Sequence, residues 1–200
     1  SRGVGNDYSA FVVVDVTEPT YKVVATFRNN TIAPMLYPKF IVTAAKMYND
    51  AVVMVEINDI GAQVADIIHN EYEYEGLIKA QWKGRAGQLV GGGFGGGESQ
   101  LGVRTTSSLK RIGCSSLKTI VENDRLIISD FDVLSELTTF VANKRGTNYE
   151  AEDGMTDDLA ICLVLFACLN DQDYFNQLTD IDIRKYLYRQ NEQAIEAEIV

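Results

Sequence analysis

The chain has 200 residues, enough for one domain or at most two small ones, and can bury roughly 70% of its unfolded surface without a staple. Its 46% hydrophobic and 23% charged residues exclude wholesale disorder, no apolar run nears the roughly 20 residues of a membrane span, and no signal-like N-terminus is visible. Eighteen basic against 28 acidic side chains give a net charge of −10, which at face value argues against nucleic acid as a partner.

The apolar runs Phe11–Val16 and Tyr21–Phe27, with Glu18-Pro19-Thr20 between them, predict a hairpin. Pro38 opens a helix whose Phe40, Ile41, Ala44, Ala45 and Tyr48 recur at helical spacing. Ala51–Ile57 reads as a strand that is apolar except for Glu56, and such strands between helices suggest a buried, partly parallel sheet. Ile60, Val64, Ile67 and Ile68 mark the next helix, and Leu77–Trp82 a short strand. Nine of the 16 glycines lie between Gly84 and Gly102, so this stretch reads as a mobile surface flap. Leu109, Ile112, Leu117, Ile120 and Val121 predict a helix, Leu126–Ser129 a strand, and Phe131–Val141 a helix or an extended segment. Leu159–Leu169 is apolar all round, as in a helix buried within a domain. Ile181–Tyr188 closes the series as a helix before a Glu-rich, fraying tail. The order is that of a single α/β domain.

Cys114, Cys162 and Cys168, an odd number without CxxC spacing, argue against a disulfide framework or zinc site and for core thiols in a reducing compartment. His69 is the one histidine, so triads and histidine-rich metal sites have little to draw on. Charge is unevenly spread. Lys79, Lys83, Arg85, Arg104, Lys110, Arg111 and Lys118 share their stretch with the single acid Glu98, so it carries +6 and the rest of the chain −16. An ordinary solvated face is the plainer explanation of such a cluster. Cations flanking a glycine flap also suit a clamp on a polyanion, although no Gly-Lys-Ser/Thr follows the glycines as in a phosphate-binding loop.

Acids at three places stand out. Glu56 ends an apolar strand, where an ionised carboxylate is costly unless it turns to solvent or meets a cation. Asp157-Asp158, after Glu150, Glu152 and Asp153, opens the most apolar helix; one acid suffices to cap a helix, and several repel each other. Asp7 lies in the glycine turn Gly3-Val4-Gly5-Asn6-Asp7, where a plain Asx turn is the simpler account. Together the three suit a hard cation, because Mg²⁺ takes a few carboxylates, waters and substrate phosphates. Two such ions support in-line phosphodiester hydrolysis.

The hairpin, the strand-end Glu and the late Asp-Asp helix are similar to the ribonuclease H-like fold, a mixed sheet flanked by helices of the resolvase and integrase type. More closely, the chain resembles the C-terminal nuclease domain of the large terminase subunit of T-even-type tailed phages. The stretches that carry this are Ser1–Tyr8, Val53–Asp59, the glycine flap leading into Leu101-Gly102-Val103, and Tyr149–Leu159. The resemblance implies a Mg²⁺-dependent endonuclease, with Mn²⁺ substituting, that cuts concatemeric double-stranded DNA with little sequence preference. Glu56 takes the place of the family's second metal carboxylate and Asp157-Asp158 of its third, with Asp157 favoured as ligand; Asp7 matches its auxiliary loop Asp. Implied partners are an N-terminal ATPase domain of the same protein, the portal ring and the small terminase subunit, with no membrane, in the host cytoplasm during phage assembly.

Two departures stand out. Ser1, Gly3, Gly5 and Asp7 fit the later positions of a family pattern whose leading Asp falls two residues before Ser1, so the 200 residues alone are expected to bind metal weakly and cut poorly. Thr156 stands where many relatives have His. Two other readings are open: a DNA-gripping and docking module that does not cleave, and another ribonuclease H-like enzyme such as a Holliday-junction resolvase or a transposase.

Overall fold

The computed structural model describes residues 8–82, 88–91, 99–143 and 148–179. Asp7, Lys83, Arg85, most of the glycine run and the expected 181–188 helix lie outside the described residues.

The two Val-rich runs form an antiparallel hairpin, β1 (Ser9–Asp15) and β2 (Tyr21–Asn29), with a bulge between Val13 and Val14. Strand alternation then sends side chains to opposite faces. Ala10, Val12 and Val14 pack toward Leu117, Val133, Leu163 and Val164, whereas Phe11 and Phe27 stack on each other at 5.1 Å and pack toward Ile41, Val55 and Ile68. Beside β2 runs β6 (Leu126–Ile127) in parallel, giving the mixed order β1-β2-β6. The expected strand through Ser129 stops at Ile127 because Asp130 becomes the cap of the next helix, accepting from the Val133 N–H at 3.0 Å.

One face of the hairpin is covered by α1 (Tyr37–Met47) and α2 (Gly61–Asn70). The other is covered by α3 (Ser107–Glu122), α4 (Phe131–Thr139) and α5 (Asp158–Asn170), with the short α6 (Asp173–Leu178) after them. The all-apolar run Leu159–Leu169 is the buried helix its composition predicts, since Leu159, Leu163 and Val164 are fully enclosed. Phe131–Val141 holds both predicted states: α4 ends at Thr139, and β7 (Phe140–Ala142) continues from it to pair with β8 (Tyr149–Ala151).

Two expectations change. The flap is not all loop: β4 (Gln88–Gly91) and β5 (Ser99–Leu101) lie on either side of β3 (Lys79–Trp82), both antiparallel to it. Ala51–Ile57 is not a regular strand but an extended segment held by two single parallel bridges, Val53 to Leu77 and Glu56 to Val103. Its backbone partner changes midway. Val53 exchanges bonds with Gly76 and Ile78, and Val55 and Ile57 with Val103, so no ladder grows beyond one pair.

Candidate metal and nuclease site

Glu56 is placed by close backbone packing around the extended segment. Gly102 has φ +82°, a conformation that favours glycine, and a Cβ there would sit 2.5 Å from the Val55 carbonyl oxygen. At the start of α2, a Cβ on Gly61 would lie 1.8 Å from the carbonyl oxygen of Glu56 itself. The side chain is then oriented by Asn58, whose Nδ2 donates to Glu56 Oε1 and to the Thr105 carbonyl, both at 3.0 Å.

Asp157 and Asp158 sit at the start of α5, but neither caps it. Asp157 occupies the N-cap position and its side chain makes no capping hydrogen bond. The free N–H groups of Leu159 and Ala160 instead donate to Glu136 Oε2 on α4, at 2.6 and 3.0 Å. Capping therefore does not account for the acid pair. Asp157 Oδ2 faces Lys110 Nζ at 3.4 Å, and that ammonium also lies 5.2 Å from the Phe140 ring centroid. Asp158 is half-buried and accepts a bond from the Tyr8 N–H. Burial above all, then the charges of Glu136 and Asp157, push its carboxyl up to about 6.

The charges of Glu56 and Asp158 both bear on Cys162. Burial, and then the charges of Glu56, Asp158 and Glu136, push the Cys162 thiol up to about 12. Cys162 stands one turn into α5, and its thiol points at the Ala10 carbonyl, 3.7 Å away. The same carbonyl accepts from Tyr37 Oη at 2.6 Å. The start of α5 and the first residues of β1 thus meet at the Ala10 carbonyl, and Glu56, Asp158 and Glu136 give the surroundings of Cys162 an excess of negative charge. All three cysteines are free thiols, and Cys168, pushed up to about 12 mainly by burial, donates to the Leu109 carbonyl.

That excess suits a cation. Carboxylate oxygens are the donors Mg²⁺ or Mn²⁺ takes, with water and phosphate oxygens completing the shell. Among the described residues, however, no three His, Cys, Asp or Glu side chains are grouped closely enough to hold a metal by themselves. Glu56, Asp157 and Asp158 are the part of a donor set that the described residues offer.

The cationic stretch divides. Lys79 on β3 and Arg104 and Arg111 around the start of α3 are exposed, and Lys118 is exposed beside Glu122 at 3.6 Å. Lys110 differs, since its side chain keeps only 14% of its exposure and belongs with Asp157. Glu136 is the residue the sequence reading missed. It is an ordinary-looking acid in Phe131–Thr139, and its one signal is its spacing: three residues after the fully buried Val133, on the same helical face. A family model described as the terminase RNaseH-like domain matches residues 1–166.

Proposed function

The chain belongs to the terminase RNaseH-like domain family, and we propose that it is the metal-dependent endonuclease of a T-even-type phage packaging motor, cutting concatemeric double-stranded DNA by two-metal phosphodiester hydrolysis. Membership gives the ribonuclease H-like fold, a nuclease-type role in terminase, and DNA and terminase components as partners in general. The observation that supports the finer reading is the acid pair Asp157-Asp158 at a helix start whose capping is done by another residue, Glu136.

Glu56, Asp157 and Asp158, with Asp7 from the N-terminal glycine turn, would hold Mg²⁺ or Mn²⁺. When bound, such ions lower the pKa of water and neutralise charge building on the phosphodiester oxygens. The protein's own groups orient this site. Asn58 fixes one oxygen of Glu56, and Lys110 draws Asp157 Oδ2 to one side. Arg104, Arg111, Lys79 and Lys118, together with Lys83 and Arg85, supply salt-sensitive contacts to the DNA backbone. The remaining acidic surface keeps free DNA binding weak, which suits a nuclease handed its substrate by an ATPase domain, a portal ring and a small terminase subunit in the host cytoplasm.

Glu56→Ala and Asp157→Ala should each abolish Mg²⁺-dependent nicking of plasmid while leaving the circular dichroism spectrum of the fold unchanged. Parent-level nicking by a folded variant would remove that residue from the site. One competing reading is a DNA-gripping module that does not cleave and holds DNA by the exposed cations Lys79, Arg104 and Arg111. In that case DNA binding follows the cations, and neither alanine variant changes anything measurable.

A further inference from the structure

We propose that Glu136 is a positioning residue for this site: it caps α5 from a different helix and so keeps the carboxylates of Asp157 and Asp158 out of the capping role and turned toward a ligand. The inference rests on the nuclease reading above for what those two acids do. A helix start exposes N–H groups without internal partners, and a Ser, Thr, Asp or Asn at the N-cap ordinarily bonds them. In α5 the N-cap is an Asp, so a local solution is present in the sequence and is not used. Were Asp157 to cap, its carboxylate would fold back on the helix and leave Lys110.

Glu136 does this work from α4, with a side chain only 4% exposed. Its Oε2 accepts from Leu159 N and Ala160 N, and its Oε1 accepts from the Thr156 hydroxyl at 2.9 Å and faces Arg28 Nη1 at 3.5 Å. The circuit closes on itself. Arg28 Nη2 donates to Thr156 Oγ1 at 2.7 Å, and the guanidinium lies 4.0 Å from the Tyr8 ring centroid. Tyr8 in turn bonds Asp158 through its backbone N–H. One buried carboxylate thus ties β2, α4, the turn before α5 and the first turn of α5 together. It also gives Thr156 a task, since that hydroxyl is the link between Arg28 and Glu136. A buried carboxylate with this many donors has one geometry available, and the acid pair inherits it.

The test is Glu136→Gln, which keeps the size of the side chain but sets an amide NH₂ against groups that donate. Two readouts are needed, in the chain extended to carry the leading Asp two residues before Ser1 so that cleavage is measurable: Mg²⁺-dependent plasmid nicking, resolved into kcat and KM for DNA, and amide hydrogen exchange along α5. The expected result is a kcat lower by about 10- to 100-fold at unchanged KM. Exchange should rise at least about tenfold at Leu159 and Ala160 and stay at parent rates from Leu163 to Leu169. Parent-like kcat with faster exchange at those two amides would overturn the proposal. So would exchange rising along the whole of α5 in step with lost nicking, which is ordinary fold support. If Glu136→Gln does not fold, Thr156→Val carries the test, with kcat expected to fall about 3- to 10-fold and an unchanged kcat counting against it. Nicking that survives Glu56→Ala and Asp157→Ala sinks the nuclease reading itself; nicking lost there but intact in Glu136→Gln sinks only the role given to Glu136.

Discussion

Replacing Asp158 by Asn should stabilise the protein above neutral pH while removing an acid from the site. Burial and the charges of Glu136 and Asp157 hold the Asp158 carboxyl at about 6, against an ordinary value of 3.8. Its place in the first turn of α5 favours the charged form by only about 0.3–1 kcal/mol, and burial and like charge outweigh that. Because the folded value is the higher one, the fold binds a proton between pH 3.8 and about 6. The contribution is therefore fully present below pH 4 and is lost as pH rises through about 6. A shift of this size corresponds to about 3 kcal/mol unscreened, and solvent access to a half-buried carboxylate leaves about 1 kcal/mol. For a chain of this length, that is roughly 2–4 °C in Tm. Thermal unfolding in EDTA at pH 8 should show Asp158→Asn melting higher than the parent by this margin, with the gain gone at pH 4. Adding Mg²⁺ at pH 8 should narrow the gap, because a bound cation relieves the same repulsion in the parent. An equal gain at both pH values, or a variant less stable than the parent at pH 8, would refute the electrostatic account.

Gly61→Ala should displace the Glu56 carbonyl, because the new Cβ would fall 1.8 Å from that oxygen; a Tm drop together with lost nicking is expected, and parent-level nicking at parent Tm would contradict the packing argument. Asp130→Ala removes the cap of α4 and the acceptor of the Thr26 hydroxyl, a bond of 2.7 Å, so chemical denaturation should show a loss of about 1 kcal/mol. Its backbone and Thr26 bonds hold the Asp130 carboxyl below the usual value, so this stabilising contribution is present at neutral pH and lost on acidification, and the variant should approach the parent in acid. Arg111→Ala should weaken DNA binding and lower the slope of log affinity against log salt by about 1. An unchanged slope would take Arg111 off the DNA face.

Much of the architecture is written in local pattern. The hairpin follows from two Val-rich runs, and the buried α5 from a run with no polar side. Glu56 and Asp157-Asp158 are visible because acids beside unbroken apolar runs demand a reason. What the pattern does not carry is tertiary. Glu136 caps residues 23 and 24 positions away, and no spacing rule links an acid in an amphipathic helix to a distant helix start. Lys110 counts with the other cations in sequence, and only the packing of α3 on α5 sets it against Asp157. The Ala51–Ile57 segment has strand composition, but whether a ladder forms depends on partners, and here Gly76–Ile78 yields to Val103 after two residues. The glycine-rich stretch misleads in the opposite sense: Gln88–Gly91 pairs antiparallel with β3 along its whole length.

The most direct measurement is a crystal structure of the chain soaked in Mn²⁺, with anomalous scattering used to locate the ion. The account predicts anomalous density between Glu56 and the Asp157-Asp158 pair, with the Glu136 bonds to Leu159 and Ala160 intact. Mn²⁺ bound at other residues, with those three carboxylates left without density at saturating metal, would contradict it.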